Sequence, residues 1–431
     1  MNYYSTNNKN IKASLREAVV QGLAPDNGLF MPEYIPTLSK SFIASLSRLS
    51  FQEIGFNVAK NIIGDDIPEI ELKRITDHTI QFDAPIIPIE ENIFSLELFH
   101  GPTLAFKDFG ARFLSGLLGY FAQQQSREIT ILVATSGDTG SAVANGFLNV
   151  PGTRVIVLYP SGKVSEIQEK QFTTLGENIT ALEIDGTFDD CQRLVKQCFM
   201  DIELKQKLFL TSANSINIAR LLPQSFYYFR AVAQLPSNKY PITFSVPSGN
   251  FGNLTAGLLA KRMGLPIRKF IAATNSNNIV PHYLNTKVFS PQPSIATISN
   301  AMDVGNPSNF ARMLDIYDKN HTLLSNDVEG CYFSDDETRD VMAEVYNQKK
   351  YLLDPHGAIG YLGLRKYLNK EREQIGVFLE TAHPAKFKDV VETTIGSSIG
   401  IPEKLQGFLM KQKVSLPMRN SFDHLKEFLL K

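Results

Sequence analysis

The sequence predicts an α/β protein, with mostly parallel sheets and flanking helices in two α/β domains plus a smaller N-terminal unit. Three observations carry this. From residue 128 onward, short apolar runs such as Ile129-Thr130-Ile131-Leu132-Val133-Ala134 alternate with stretches of helical period. That alternation builds βαβ units and hence parallel sheets. The first 95 residues lack it, and the 431-residue length leaves room for two or three domains.

In chain order, residues 14–22 read as a short helix, 26–28 as a turn and 31–36 as extended by their prolines. Residues 39–49 and 51–63 have helical period, and 84–89 read as an extended linker or edge strand. A helix is expected just after residue 106. Strands are then expected at 128–134, 154–158, 179–184, 242–246, 268–274 and 376–380, with 208–211 short and extended. Between and after them fall helices at 141–148, 164–175, 188–200, 220–233, 254–263, 335–351, 354–367, 403–409 and 422–430. Residues 275–307, rich in Asn, Ser and Pro, read as irregular. The expected division is an N-terminal unit at 1–95, a smaller α/β domain at 96–235 and a larger one at 236–431. Right-handed crossovers would gather the strand-to-helix loops at the carboxyl edges of the sheets.

Composition narrows the function. Hydrophobic residues make up 43% and charged ones 20%, with a net charge of -1, so no nucleic-acid or membrane-surface partner is expected. The cysteines Cys191, Cys198 and Cys331 form no CxxC, and free thiols fit a reducing cytoplasm. The seven histidines are scattered, so no metal site is expected. The first ten residues carry no apolar core of a signal peptide, and no apolar run approaches the roughly 20 residues that span a bilayer. Monomer and homodimer are both left open.

The chemistry begins at Leu96-Glu97-Leu98-Phe99-His100-Gly101-Pro102-Thr103-Leu104-Ala105-Phe106-Lys107-Asp108. Gly101-Pro102 signals a turn, and Thr103 is the expected helix cap. Phe106, Phe109, Phe113 and Leu117 then recur at helical spacing, which puts Lys107 in the first helical turn. A helix N-terminus and apolar neighbours both disfavour an ammonium and expose the amine as a nucleophile. A plain surface lysine is the alternative on this stretch alone.

Two loops follow in strand–loop–helix context. Thr135-Ser136-Gly137-Asp138-Thr139 offers backbone N–H groups, hydroxyls and a helix N-terminus to an anion, although an ordinary capped turn uses the same residues. Ser248-Gly249-Asn250-Phe251-Gly252-Asn253 has two glycines and two amides, enough to wrap a phosphate without a lysine. It is neither a Walker loop nor GxGxxG. Asn214 and Arg220 open another helix, and the arginine suits a second phosphate or a carboxylate; a surface salt bridge is the alternative. Thr381 ends an apolar strand, where its hydroxyl can meet a ring nitrogen or its own backbone. His383, beside a proline, reads as structural rather than as a proton carrier. A nucleophilic lysine, a lysine-free phosphate cradle and a second anion loop together suit a phosphorylated aldehyde bound as a Schiff base, and pyridoxal phosphate is that cofactor.

The run from His100 to Asp108 resembles the cofactor-lysine motif of the threonine synthase family, within the tryptophan-synthase-like (fold type II) pyridoxal-phosphate enzymes. Gln21-Gly22-Leu23-Ala24-Pro25-Asp26-Asn27-Gly28-Leu29-Phe30-Met31-Pro32 is similar to that family's N-terminal segment, with Asn27 where a glycine is common. The resemblance implies that Lys107 carries the cofactor, that residues 248–253 cradle its phosphate and that Thr381 faces its pyridine nitrogen. It implies that residues 135–139 bind the substrate's anion, and that Asn214 and Arg220 hold its phosphate. The implied reaction is O-phospho-L-homoserine plus water giving L-threonine and phosphate. A threonine or serine dehydratase would share Lys107 and the cradle without a second phosphate site, and a non-catalytic metabolite-binding protein could use the same scaffold.

Overall fold

The computed structural model describes residues 1–124, 127–236, 240–371 and 373–431. It contains three sheets. A three-stranded antiparallel sheet joins Lys12–Ser14, Asn2–Ser5 and Phe30–Pro32 in the N-terminal unit. A five-stranded parallel sheet runs in the order Leu416–Arg419, Ile179–Asp185, Thr153–Pro160, Ile129–Ala134, Phe209–Ser212. A six-stranded sheet runs Val328–Tyr332, Ile267–Thr274, Ile242–Pro247, Ile375–Glu380, Ile93–Glu97, Ile86–Glu90, parallel except for the last strand. Among the described residues no helix is long and apolar enough to cross a membrane.

The expected α/β architecture with its N-terminal unit is present, and the expected borders meet it unevenly. Residue 95 lies inside the strand Ile93–Glu97, which pairs with Ile375–Glu380 of the six-stranded sheet. The strand Leu416–Arg419 leaves the C-terminal segment to extend the five-stranded sheet. Residues 275–307 are not wholly irregular, because Ile279–Thr286 is a helix whose Ile279, Val280, Pro281 and Leu284 are buried. That apolar stripe outweighs the surrounding Asn and Ser.

Central strands are buried along their whole length, as Ile129–Ala134 and Ile375–Glu380 show. Helices cover them on both faces, which is why these runs are continuously apolar. Ser14 and Ser50 close capping boxes with Glu17 and Glu53, fixing where the helices Leu15–Gln21 and Phe51–Ile63 begin. Cys191 and Cys198 sit on the buried face of Phe188–Met200, and all three cysteines are free.

Candidate active site

Both parallel sheets aim their carboxyl edges at one cavity of about 1440 Å³. Loops after Ile93–Glu97, Ile242–Pro247 and Ile375–Glu380 reach it from one sheet, and loops after Ile129–Ala134 and Phe209–Ser212 from the other. Every predicted site residue lines it except Gly137 and Ser248, and Thr6, Asn7 and Asn27 of the N-terminal unit line it too.

Lys107 is the first residue of the helix Lys107–Ala122. Thr103 does not cap that helix. Its N–H and hydroxyl donate to the Asp108 carboxylate at 2.9 and 2.6 Å, bracing the loop, while Phe106 holds the cap position with no side-chain bond. The Lys107 Nζ lies 5.1 Å from the Phe106 ring centroid and 3.4 Å from Asp138 Oδ2. Burial pushes its pKa down; Asp138 opposes this, and Lys386 and Arg220 add to it.

The 135–139 loop is shaped by Thr135, whose hydroxyl accepts from Gly137 N and Gly140 N at 3.0 and 2.8 Å. Gly137 has φ 142, and a Cβ there would meet the Gln168 amide at 2.6 Å, so the turn requires glycine. In the helix Asp138–Phe147 that follows, Thr135 takes the Gly140 N–H, which leaves the N–H groups of Asp138 and Thr139 open. The Asp138 carboxylate is committed. Its Oδ1 accepts from Lys386 Nζ at 2.6 Å and from Gln168 Nε2 at 2.9 Å. Burial alone would raise the Asp138 pKa, but the two lysines hold it well below the usual carboxylate range.

In the 248–253 loop the two amides build the loop instead of facing the cavity as donors. Asn253 Nδ2 donates to Pro247 O at 2.8 Å, and its Oδ1 accepts from Leu254 N at 3.0 Å and from Ser248 Oγ at 3.1 Å. Asn250 Nδ2 donates to Ser215 Oγ, and its Oδ1 accepts from Ser308 N, both at 2.5 Å. What remains for a phosphate is the uncapped N-terminus of Gly252–Arg262, preceded by Phe251 in a left-handed conformation with φ 60. At Gly249 a Cβ would stand 2.7 Å from Met302 Cα, so the loop runs close under the 301–302 backbone.

Arg220 overturns the surface-salt-bridge alternative. It is 3% exposed, donates through NH1 to Ala213 O at 2.6 Å and leaves its Nε without a partner. Burial lowers its pKa to about 10, a faint counter-pull coming from Asp108. A buried guanidinium bonded only to a carbonyl is a cation in want of an anion. Asn214 Nδ2 donates to Ala134 O at 3.1 Å and ties this loop to the neighbouring strand. Arg312, also buried, holds Ser215 and Ile216 through their carbonyls at 3.2 and 2.7 Å.

Thr381 follows the strand Ile375–Glu380, and its carbonyl accepts from Phe106 N at 2.9 Å, which fixes the strand end against the Lys107 loop. His383 is structural: its Nδ1 accepts from Ala385 N at 3.1 Å, its ring meets Phe99 edge-on, and burial lowers its pKa to about 4. Two groups at the site escaped the sequence reading, His356 lining the cavity and Lys386 lying behind Asp138. His356 is 2% exposed, with Nδ1 2.5 Å from Asp354 Oδ1 and Nε2 unpartnered. Its signal was the helix-opening Asp354-Pro355-His356. Lys386, the second lysine on Asp138, is wholly buried and gave no local signal beyond following Thr381 closely.

This donor set suits pyridoxal phosphate: an amine at a helix start, an uncapped helix N-terminus across the cavity and a neutral hydroxyl at a strand end. Comparison with known proteins agrees along the whole chain. Residues 2–80 match the family model described as threonine synthase N terminus, 84–379 that of pyridoxal-phosphate dependent enzymes and 357–429 that of threonine synthase, C-terminal. The threonine synthase of Haemophilus influenzae is 47% identical over 432 residues, covering 100% of both chains. The crystal structure of Escherichia coli threonine synthase superposes with TM-score 0.93 at 44% identity, covering 100% of this chain and 99% of that one. A pyridoxal-phosphate-bound threonine synthase from Brucella melitensis gives TM-score 0.93 at 34% identity, with the same coverage. With Lys107, the 248–253 loop and the unpaired Arg220 in one cavity, and relatives matching from end to end, this chain belongs to the threonine synthase family of pyridoxal-phosphate enzymes.

Proposed function

We propose that this chain converts O-phospho-L-homoserine and water to L-threonine and inorganic phosphate, the last step of threonine biosynthesis, with Lys107 as its central catalytic residue. The observation that carries the reading is Arg220: a buried guanidinium without a carboxylate partner, lining the same cavity as Lys107. A dehydratase acting on an unphosphorylated amino acid, whose one carboxylate the Asp138 turn would take, has no second anion for that charge.

Bound pyridoxal phosphate supplies a conjugated aldehyde that takes up the electron pair left when a proton departs beside the substrate's amino group. Lys107 Nζ would hold the cofactor, with the open N–H groups at Gly252 and Asn253 available to its phosphate and the Thr381 hydroxyl to its ring nitrogen. Released as substrate binds, Lys107 is a neutral amine and takes the proton from Cα. A second proton leaves Cβ for the departing phosphate, and the Cγ–O bond breaks with its electron pair going to that phosphate. Arg220 and Asn214 receive that phosphate, and a preorganised cation lowers the cost of the developing charge. Cγ takes the proton that Lys107 accepted from Cα, water adds its hydroxyl to Cβ and yields its other proton to Lys107, and Lys107 returns that proton to Cα. The first turn of Asp138–Phe147, with Ser136 and Thr139, binds the substrate carboxylate.

The unpaired, buried cysteines support a cytoplasmic setting. The test is release of phosphate and threonine from O-phospho-L-homoserine by purified protein with added pyridoxal phosphate. Equal amounts of both products, lost in Lys107→Ala, are expected. Neither product from a cofactor-loaded protein would overturn the reading.

A further inference from the structure

Lys107 has a carboxylate within reach, and that poses a problem for a lysine needed as a free amine. A buried lysine facing a buried aspartate settles into an ion pair, with the proton on nitrogen. The cavity avoids this by giving Asp138 a second, better-placed lysine. Lys386 Nζ is 2.6 Å from Asp138 Oδ1, whereas Lys107 Nζ is 3.4 Å from Oδ2. The Lys386 side chain is 0% exposed, Asp138 3% and Lys107 17%. The more deeply buried lysine therefore makes the shorter contact, and Gln168 Nε2 shares the same Oδ1 at 2.9 Å.

We propose that Lys386 is a positioning residue that acts through Asp138: it binds that carboxylate as an anion and so leaves Lys107 as the free amine. This rests on the reading of Lys107 as the acting base. The charged groups around the pair all fit the assignment. Lys107 faces Asp138 on Asp138–Phe147, Lys386 on the turn Pro384–Phe387 and Arg220 on Ile218–Leu221. Asp108, its neighbour in sequence, spends both oxygens on Thr103. Lys386 in turn faces Asp138, Asp108 and His383. Its second bond, to Thr103 O at 2.8 Å, anchors it to the loop that carries Lys107. Two of the three charges near the Lys107 nitrogen are thus positive, and each of them disfavours an added proton.

Removing the Lys386 charge while keeping its bulk, in Lys386→Met, takes a cation from beside Lys107 and leaves Asp138 free to pair with it. Both changes raise the proton affinity of Lys107. Asp138→Asn acts in the opposite direction, since Lys107 then faces Lys386 and Arg220 with no anion between. Opposite shifts from two residues in contact are a signature that mere loss of packing does not produce.

The measurement is the pH dependence of acetic anhydride labelling at Lys107, read by mass spectrometry on the full-length chain freed of cofactor, with circular dichroism to confirm the fold. The labelling midpoint is expected to rise by about one pH unit or more in Lys386→Met, to stay in Lys386→Arg and to fall in Asp138→Asn. The acid limb of the holoenzyme kcat profile, which reports the substrate-bound enzyme in which Lys107 is free, should move with it. An unmoved or lowered midpoint in Lys386→Met, or equal shifts in Met and Arg, would overturn the proposal. If Lys386→Met does not fold, the Asp138→Asn midpoint decides: no fall refutes it. Lys107→Ala turnover tests the catalytic reading separately, because labelling reports Lys107 without any turnover.

Discussion

Glu97 and Glu380 occupy paired positions on neighbouring parallel strands, yet only one of them is partnered. Glu97 accepts from Tyr351 Oη at 2.9 Å and meets His100 Nε2 at 2.8 Å. Glu380 is wholly buried, and neither of its oxygens has a hydrogen-bond partner. Burial, then nearby Asp354 and Glu97, raise its pKa well above the usual carboxylate range. It stands directly before Thr381, in surroundings that favour its protonated form.

That state makes stability depend on pH. Between the ordinary carboxylate range and the raised native value, the folded chain holds a proton that the unfolded chain has lost. Stability therefore falls as pH rises through that window, by roughly 1.4 kcal/mol per pH unit. Glu380→Gln removes the term. Thermal melts of both proteins across mildly acidic to alkaline pH should converge at the acid end and diverge upward, the variant melting higher. Parallel curves would mean that Glu380 is ionised in the native state.

Lys107→Ala should lower kcat by at least roughly a thousandfold, the scale of losing a positioned acid–base group. The protein should still bind pyridoxal phosphate, more weakly and without the absorption band of a lysine-bound cofactor. An absorption spectrum and a turnover assay on one sample are enough, and residual wild-type activity would contradict the assignment.

Arg220→Ala should act on the substrate. Losing a charge-assisted contact to phosphate costs about 1.5–3 kcal/mol, or roughly ten- to a hundredfold in kcat/KM. Cofactor affinity should change far less, since the cradle at Gly252 is built separately. Steady-state kinetics beside a cofactor titration distinguishes the two, and equal losses in both would place Arg220 on the cofactor instead.

Gly249→Ala should weaken the cofactor. Its Cβ would press on Met302 Cα at 2.7 Å and Ala301 O at 3.0 Å, both backbone atoms that do not step aside easily. About a tenfold rise in the pyridoxal phosphate Kd is expected from fluorescence titration, a modest share of the usual cost of overpacking. Gly407→Ala, with nothing within 4 Å, is the matched control and should leave the Kd unchanged.

The parallel strands and the loops after them were legible because a strand covered on both faces must be apolar throughout. Ile129–Ala134 and Ile242–Pro247 announce themselves by being mostly apolar, the first followed by glycine and hydroxyl residues and the second by glycine and amide residues. Two of the edge strands were not legible, although Ile86–Glu90 and Phe209–Ser212, at the opposite edges, fall on stretches read as extended. Val328–Tyr332 carries Glu329 and Gly330, and Leu416–Arg419 carries Pro417, which only an edge position tolerates. The strands of the N-terminal sheet are three or four residues long, too short to display a period. Within the site, Asn250 and Asn253 misled because an amide that builds a loop and an amide that grips a ligand look the same in sequence. Lys386 was invisible for a different reason: its meaning lies in a partner, Asp138, that only the packed sheets bring to it.

The interleaved strand order also bears on how the molecule comes to exist. Neither large sheet is one stretch of chain: the six-stranded one begins at Ile86–Glu90 and resumes only at Ile242–Pro247, while the five-stranded one awaits Leu416–Arg419. During synthesis, Ile179–Asp185 leaves the ribosome long before its partner and meanwhile presents an open edge to any neighbouring chain. The cavity, which needs both sheets, can take shape only after Ile375–Glu380 has been made. Until Leu416–Arg419 follows, Ile179–Asp185 stays open on one side, and cellular help in folding would count most there.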